Sequence, residues 1–285
     1  MPLDTRMVGQ TTRAFSHDVD ARWIMAYAAG LNDLNPVYMD TRAGPVVAHP
    51  AFPVCLEWPV ILSSRELPGY ESVTREEGAR GVHAAHDLHL YRPIRAGERL
   101  TTRGTIIALE AIRPGAAQLT RLDTIDDQGA LVCRTYQLGI SRGVRVQGEP
   151  VAGEAAPALP ERLTTGASRT FTIDVPGGAA HVYTECARIF NPIHTDRAVA
   201  VAAGLPDIIL HGTATMALAV STLVDAYLDG DPTRVRRLGG RFAAMVLMPS
   251  TLTLAVEGEA PGRLFFTVRT ADGGEAFQNA FLCYE

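Results

Sequence analysis

Asn191, Pro192 and His194 fall within four residues, in the stretch ARIFNPIH over 187–194. Histidine has an ordinary pKa near working pH, so His194 can take a proton and return it. The plain alternative is a half-buried histidine that closes a loop. Asn191 can orient a water or the imidazole, or it can hold the turn that Asn-Pro favours. Both readings stay open. A second pair, His211-Gly212, precedes an apolar stretch. Gly212 opens that stretch as a helix, where free N–H groups and the helix dipole favour negative charge. Its N–H is therefore a candidate donor to an oxyanion, and a simple helix-start glycine is the alternative. His211 and Thr213 flank it as substrate contacts or as capping and packing residues. Where an acidic partner for His194 would be sought, the chain has Ile189.

The chain has 285 residues, enough for one large domain or two modest ones. It is 47% hydrophobic and 20% charged, a composition that supports a packed core. A net charge of −5 without a long basic run argues against nucleic acid as the main partner. The start, MPLDTRMVGQ, lacks an apolar region after a basic one, so no secretory signal is expected. No apolar run reaches the roughly 18 residues of a spanning helix, so no membrane partner is expected and the localisation expected is cytoplasmic. All 26 basic residues are arginines. Without lysine, Schiff-base chemistry, pyridoxal-phosphate attachment and a P-loop are excluded. Cys55, Cys133, Cys186 and Cys283 are too scattered for a zinc knuckle or a disulfide framework, and each reads as a small apolar residue.

The elements that position these residues occur twice. Residues 15–40 align with 171–196 without a gap at an offset of 156: Phe15 with Phe171, Asp18 with Asp174, Val19 with Val175, Tyr27 with Tyr183, Asn35-Pro36 with Asn191-Pro192, and Asp40 with Asp196. His49-Pro50 then stands as His211-Gly212 does, and HLYRPIRAGERLT resembles RFAAMVLMPSTLT. Two copies of one fold are expected, over 1–145 and 166–285, with a Pro-, Gly- and Ala-rich exposed linker over 146–165. Each copy reads as a helix, a loop with the Asn-Pro motif, a second helix (Phe52–Ser64 or Thr213–Leu228) and alternating strands. The later second helix is apolar or small on nearly every face, so it belongs inside. The fold class expected is α+β: two antiparallel sheets, each wrapped round a central helix, arranged as a pseudo-dimer.

The second half resembles the MaoC-like, R-specific enoyl-CoA hydratase family, whose members have the hot-dog fold. The residues that carry the resemblance are Tyr183, Asn191-Pro192-Ile193-His194 and Leu210-His211-Gly212. The family motif reads Ser-Gly-Asp-x-Asn-Pro-Leu-His after the Tyr. Here Ala187-Arg188 replace Ser-Gly, and Ile189 replaces the catalytic Asp. The first half shows the reverse: Asp33 stands at the acid position and Tyr38 at that of the histidine. The resemblance extends over nearly the whole chain, since family members with two fused hot dogs have this length. It implies hydration of an enoyl thioester, or dehydration of a 3-hydroxyacyl thioester, linked to CoA or a carrier protein. His194 would be the base, Gly212 the oxyanion donor and Asn191 the positioning group. His211, Thr213, Asp33, Tyr38 and Arg241 would contact substrate, and the first half would shape the acyl tunnel. No metal or redox cofactor is implied; CoA enters as part of the substrate. A homodimer of the double hot dog is a further expectation.

Other readings stay open. With the acid absent, the same scaffold could run an isomerisation or a cyclisation, or serve as a non-catalytic thioester-binding subunit. Glu185, Asp196 and Asp207 are candidate replacement acids. His83, His86 and His89 in HAAHDLHLYRP suggest a metal, but strand alternation would place His86 opposite the other two. Arg234, Arg236, Arg237 and Arg241 could meet CoA phosphates. Glu57 resembles the carboxylate of hot-dog thioesterases, without the rest of that site.

Overall fold

The computed structural model describes residues 2–78, 80–163 and 169–285. In the first half, β2 (Phe15–Val19) leads into a motif helix, Ala21–Gly30, then a loop, and then the central helix, Pro53–Ser63. β3 (Gly81–Leu90), β4 (Glu98–Ile112), β5 (Gly115–Ile125) and β6 (Leu131–Arg142) follow. The second half repeats this order. β8 (Arg169–Val175) leads into the motif helix, Ala179–Ala187, and the central helix, Gly212–Tyr227. β9 (Val235–Phe242), β10 (Ser250–Ala260), β11 (Arg263–Arg269) and β12 (Glu275–Tyr284) complete it.

The two sheets join edge to edge into one ten-stranded sheet, in the order β2-β4-β5-β6-β3-β9-β12-β11-β10-β8. Five strands come from each half, in mirrored order, so the expected double hot dog is present. The seam is the antiparallel pair β3·β9, where Asp87 is paired with Gly239. Those two residues are counterparts at an offset of 152, the offset that aligns HLYRPIRAGERLT with RFAAMVLMPSTLT. A second pair of counterparts meets in the core: the Tyr27 and Tyr183 hydroxyls lie 3.3 Å apart, with both rings buried. Equivalent residues can touch only at a two-fold axis, so both contacts mark the pseudo-dimer axis.

One hydrophobic cluster runs through both halves, from Val19 and Phe52 to Val220 and Leu282. The central helix Gly212–Tyr227 buries ten side chains on several faces, including Met216, Val220 and Leu223. Such a helix is stabilised by its surroundings on all sides and not by one amphipathic stripe.

The segment expected as a linker is more ordered than a free tether. Val146–Gln147 form β7, which pairs in parallel with β1 (Leu3–Asp4). The following residues are exposed but are held on the outer face of the sheet. Arg121 pairs with Glu154, the Arg237 guanidinium donates to the Ala158 carbonyl at 3.0 Å, and Arg162 pairs with Glu257. Gly153 passes so close to the Ile107 carbonyl that a Cβ there would collide with it. The expected boundary between 165 and 166 lies outside the described residues.

Candidate active site

The repeat holds at the level of backbone geometry. Asn32 and Arg188, counterparts at the ends of the two motif helices, both have left-handed backbones, with φ of 56° and 57°. Glycine adopts that conformation most easily, and an arginine there carries strain. The Arg188 guanidinium lies 3.8 Å over the Trp23 ring, a cation–π contact that offsets the strain. From Arg188 the chain turns through Ile189 and Asn191 into a single helical turn, Pro192–His194, which carries His194 inward. Asp196 closes the loop by accepting from the N–H groups of Ala198 and Val199.

Nδ1 of His194 lies 2.8 Å from the Ile209 carbonyl oxygen. A carbonyl can only accept, so Nδ1 carries the proton and Nε2 presents its lone pair. The imidazole stacks on His211, with ring centroids 3.6 Å apart. Burial lowers the His194 pKa to about 4, partly opposed by the Ile209 hydrogen bond. His194 is therefore neutral, with a free base nitrogen, across the physiological range. Burial also pushes His211 well below its ordinary value, and neighbouring His194 adds to this. His211 Nε2 lies 3.2 Å from the Thr184 hydroxyl. Its Nδ1 has no partner of good hydrogen-bond geometry, although the Ile189 carbonyl is close enough to offset part of the depression.

Gly212 is the first residue of the second central helix. The N–H groups of Gly212 and Thr213 have no acceptor among the described residues, as expected for the first turn of a helix. A Cβ on Gly212 would come within 2.8 Å of the Phe242 ring, so close packing also requires the glycine. The Thr213 hydroxyl accepts from Tyr183 at 3.2 Å.

These residues line one cavity of about 520 Å³. Ile189, Asn191, His194, His211, Gly212, Thr213 and Arg241 border it from the second half. Val54, Glu57, Trp58, Ile61, Gln118 and Gln137 border it from the first. The Asn191 side chain makes no hydrogen bond among the described residues and is available at the cavity wall. Its counterpart Asn35 is fully engaged: it accepts from Val37 N–H at 3.0 Å and donates to the Gly230 carbonyl at 2.6 Å. Arg241 is exposed and lines the cavity, and no ion pair engages it among the described residues. Arg234, Arg236 and Arg237 are instead tied to the C-terminal Glu285 and to Asp87.

Asp33 and Tyr38, read from the sequence as substrate contacts, do not border this cavity. They sit at the first half's own motif, around His49. There His49 Nδ1 accepts from Ala51 N–H at 3.0 Å and Nε2 lies 3.1 Å from the Ser221 hydroxyl. The Tyr38 ring is fully buried, 5.7 Å from that of His49, and Asp33 accepts from Asn35 N–H. The space left beside His49 and Pro50 is about 10 Å³, room for about one water. Tyrosine is larger than histidine, and Tyr38 is fully buried at the position where His194 borders the cavity in the second half, so the open site there has a closed counterpart here.

The replacement acids named from the sequence are occupied elsewhere. Glu185 is exposed, Asp196 caps the helix Arg197–Ala202, and Asp207 pairs with Arg197 at 3.0 Å. Ile189, 6% exposed, presents an apolar wall to the cavity. Among the described residues that line the cavity, Glu57 is the one carboxylate. The histidine run also departs from simple alternation. A bulge between His83 and Ala85 brings the His83 and His86 rings to 5.3 Å on the inner face, while His89 reaches Asp87 on the outer one. Gln118 and Gln137 were not identified from the sequence as lining residues. Neither carries a distinctive sequence signal, since both lie in strands that mix polar and apolar residues.

Residues 173–275 match the MaoC-like domain model, and residues 6–135 match the FAS1-like dehydratase domain region. The chain thus carries a MaoC-like domain in its second half and a FAS1-like dehydratase region in its first. A peroxisomal enoyl-CoA hydratase 2 of Arabidopsis thaliana is 27% identical over 66% of this chain and 62% of its own. Enoyl-CoA hydratase ChsH3 of Mycobacterium tuberculosis is 46% identical over 23% of each chain. The chain thus spans less than two thirds of the length of these curated relatives. Among solved structures, a MaoC-like dehydratase from Phytophthora capsici superposes with a TM-score of 0.81 at 21% identity, covering 98% of this chain and 97% of that one. A Mycobacterium tuberculosis protein described as a double hot dog has a TM-score of 0.64 at 16% identity over 97% and 95%. At those identities the likeness concerns the fold.

Proposed function

We propose that this MaoC-like protein hydrates an enoyl thioester, or runs the reverse dehydration, with one histidine handling both proton steps. The observation that carries this reading is the hydrogen bond from His194 Nδ1 to the Ile209 carbonyl. It leaves Nε2 as a base in the same cavity as the unpaired N–H groups of Gly212 and Thr213. Nε2 takes a proton from water, and the hydroxide adds to the β carbon. The negative charge passes to the thioester oxygen, where Gly212 N–H donates to it. The imidazolium then returns its proton to the α carbon. No second acid is required, so Ile189 is compatible with turnover. Asn191 would hold the water, Arg241 would meet the phosphates of CoA, and the first-half wall would hold the acyl chain. One well-aimed oxyanion donor contributes about 3 kcal/mol in the transition state.

The test follows loss of the enoyl-thioester absorbance for short, long and branched enoyl-CoAs with wild type and His194→Ala. Turnover by wild type that falls by about three orders of magnitude in the variant supports the reading. Absence of turnover on every thioester removes it. The apolar wall at Ile189 favours one second reading, a double-bond shift by His194 without water. Oxygen-18 water separates the two, since only hydration incorporates the label.

A further inference from the structure

The first-half wall of the cavity contains polar groups that the hydration chemistry does not use. Glu57 is 1% exposed, on the central helix Pro53–Ser63, and its carboxylate has one hydrogen-bond donor among the described residues, the Thr135 hydroxyl. A carboxyl has room for more than one donor. Two residues along β6 from Thr135, and so on the same face of the sheet, is Gln137. It is 6% exposed, lines the cavity, and its side-chain amide makes no hydrogen bond among the described residues. Its cross-strand neighbour on β3 is His86, 1% exposed, with both ring nitrogens unpartnered. Buried polar groups without partners are costly, and a Gln137 amide and a His86 imidazole without partners, beside a Glu57 carboxylate with a single donor, are not a feature of ordinary packing. A wall meant only for a hydrocarbon chain would be apolar here, as Val54 and Ile61 are.

We infer that Glu57 and Gln137 form a polar subsite that takes a hydroxyl group carried on the acyl chain of the thioester. This rests on the acyl-thioester reading above and specifies which acyl chains fit best. A hydroxyl is both donor and acceptor. It can donate to the open side of the Glu57 carboxyl and accept from the Gln137 amide. A neutral group suits the site better than a cation, because burial raises the Glu57 carboxyl to about 7, against the smaller opposing effect of the Thr135 hydrogen bond. The carboxyl is thus near the balance between its acid and its anion, with no fixed full charge to pair. Small-molecule sites commonly combine apolar walls with a few such placed polar groups, and those groups set specificity. A site built to hydrogen-bond a hydroxyl discriminates strongly against the analogue that lacks it.

The subsite is tested by binding, independently of turnover. Octanoyl-CoA and a set of saturated hydroxyoctanoyl-CoAs, with the hydroxyl moved along the distal half of the chain, are titrated into the full-length protein by calorimetry. At least one hydroxylated chain is expected to bind about tenfold tighter than octanoyl-CoA, the size of one or two good hydrogen bonds. Gln137→Leu and Glu57→Leu should each reduce that preference severalfold while plain octanoyl-CoA binds as well or better. Glu57→Gln, which keeps the shape and an acceptor for Thr135, serves if the leucine variant does not fold, and should also reduce the preference. Equal or weaker binding of every hydroxylated chain overturns the proposal, as does a preference that survives these substitutions. Hydration of 2-octenoyl-CoA is followed on the same samples. Hydration without a hydroxyl preference removes the subsite and leaves the hydratase reading, and a preference without hydration does the reverse.

Discussion

The difference between the open and closed sites reduces to a few paired residues. At the first position of the pair, Asn191 is available where Asn35 caps its turn. At the second, His194 borders a cavity where Tyr38 is fully buried in packing. Two predictions belong at this scale. The rate on an enoyl thioester, taken as kcat/KM against pH, should be flat from about pH 5.5 to 8 and fall as pH drops through about 4, where protonation of Nε2 removes the base. The sign follows from burial, which disfavours the charged imidazolium and lowers the pKa from its ordinary 6.5. A limb near 6.5 would mean that the base is exposed or is another group. Gly212→Ala should lower kcat by about 100-fold, because the new Cβ meets Phe242 and displaces the N–H proposed as oxyanion donor. Circular dichroism of the variant would show whether the helix itself survives.

The two central helices share a place in the fold but differ in their first turns. Gly212–Tyr227 begins with free N–H groups beside the histidine pair. Pro53–Ser63 begins with Pro53, preceded by Pro50, and contains Pro59. Proline has no N–H, so the first-half helix has fewer donors to offer an anion. Restoring a donor should not open the second site, because the space there is about 10 Å³ and Tyr38 is in place. Pro50→Gly is therefore expected to leave turnover within about twofold of wild type and to lower the melting temperature by a few degrees, since glycine adds freedom to the unfolded chain. A gain in turnover or in stoichiometry of thioester binding would show that the first half is latent and not closed.

At the scale of the molecule, the halves share one sheet and one core. The β3·β9 seam is reinforced by Arg237, which holds Asp87 with two hydrogen bonds of 2.8 Å, and by the strap that runs on the outer face from 148. The cavity itself takes His194 from one half and its far wall from the other, so neither half encloses it alone. Scanning calorimetry should show a single cooperative transition for the full chain. Two separated transitions would show that the halves fold as independent units. The single transition should move up in temperature on adding a bound thioester, as any ligand specific to the native state requires.

The repeat, its Asn-Pro loops and its apolar central helix are local patterns, and the sequence by itself determined them. A gapless offset needs no coordinates to be read, and a helix that is apolar or small on nearly every face has one physical destination. The same patterns identified the double hot dog and singled out His194 and Gly212 as candidates. Only the tertiary structure decided that Asp33 and Tyr38 belong to a closed site, because closure depends on what surrounds a side chain and not on its neighbours in sequence. Only the tertiary structure brought Gln137 and Glu57 to the wall facing His194, since they come from a strand and a helix of the other half. The bulge at His83, which puts its ring on the same face as that of His86, was likewise invisible to alternation. Sequence patterns record the period of an element, whereas a site across an axis is set by how two elements meet.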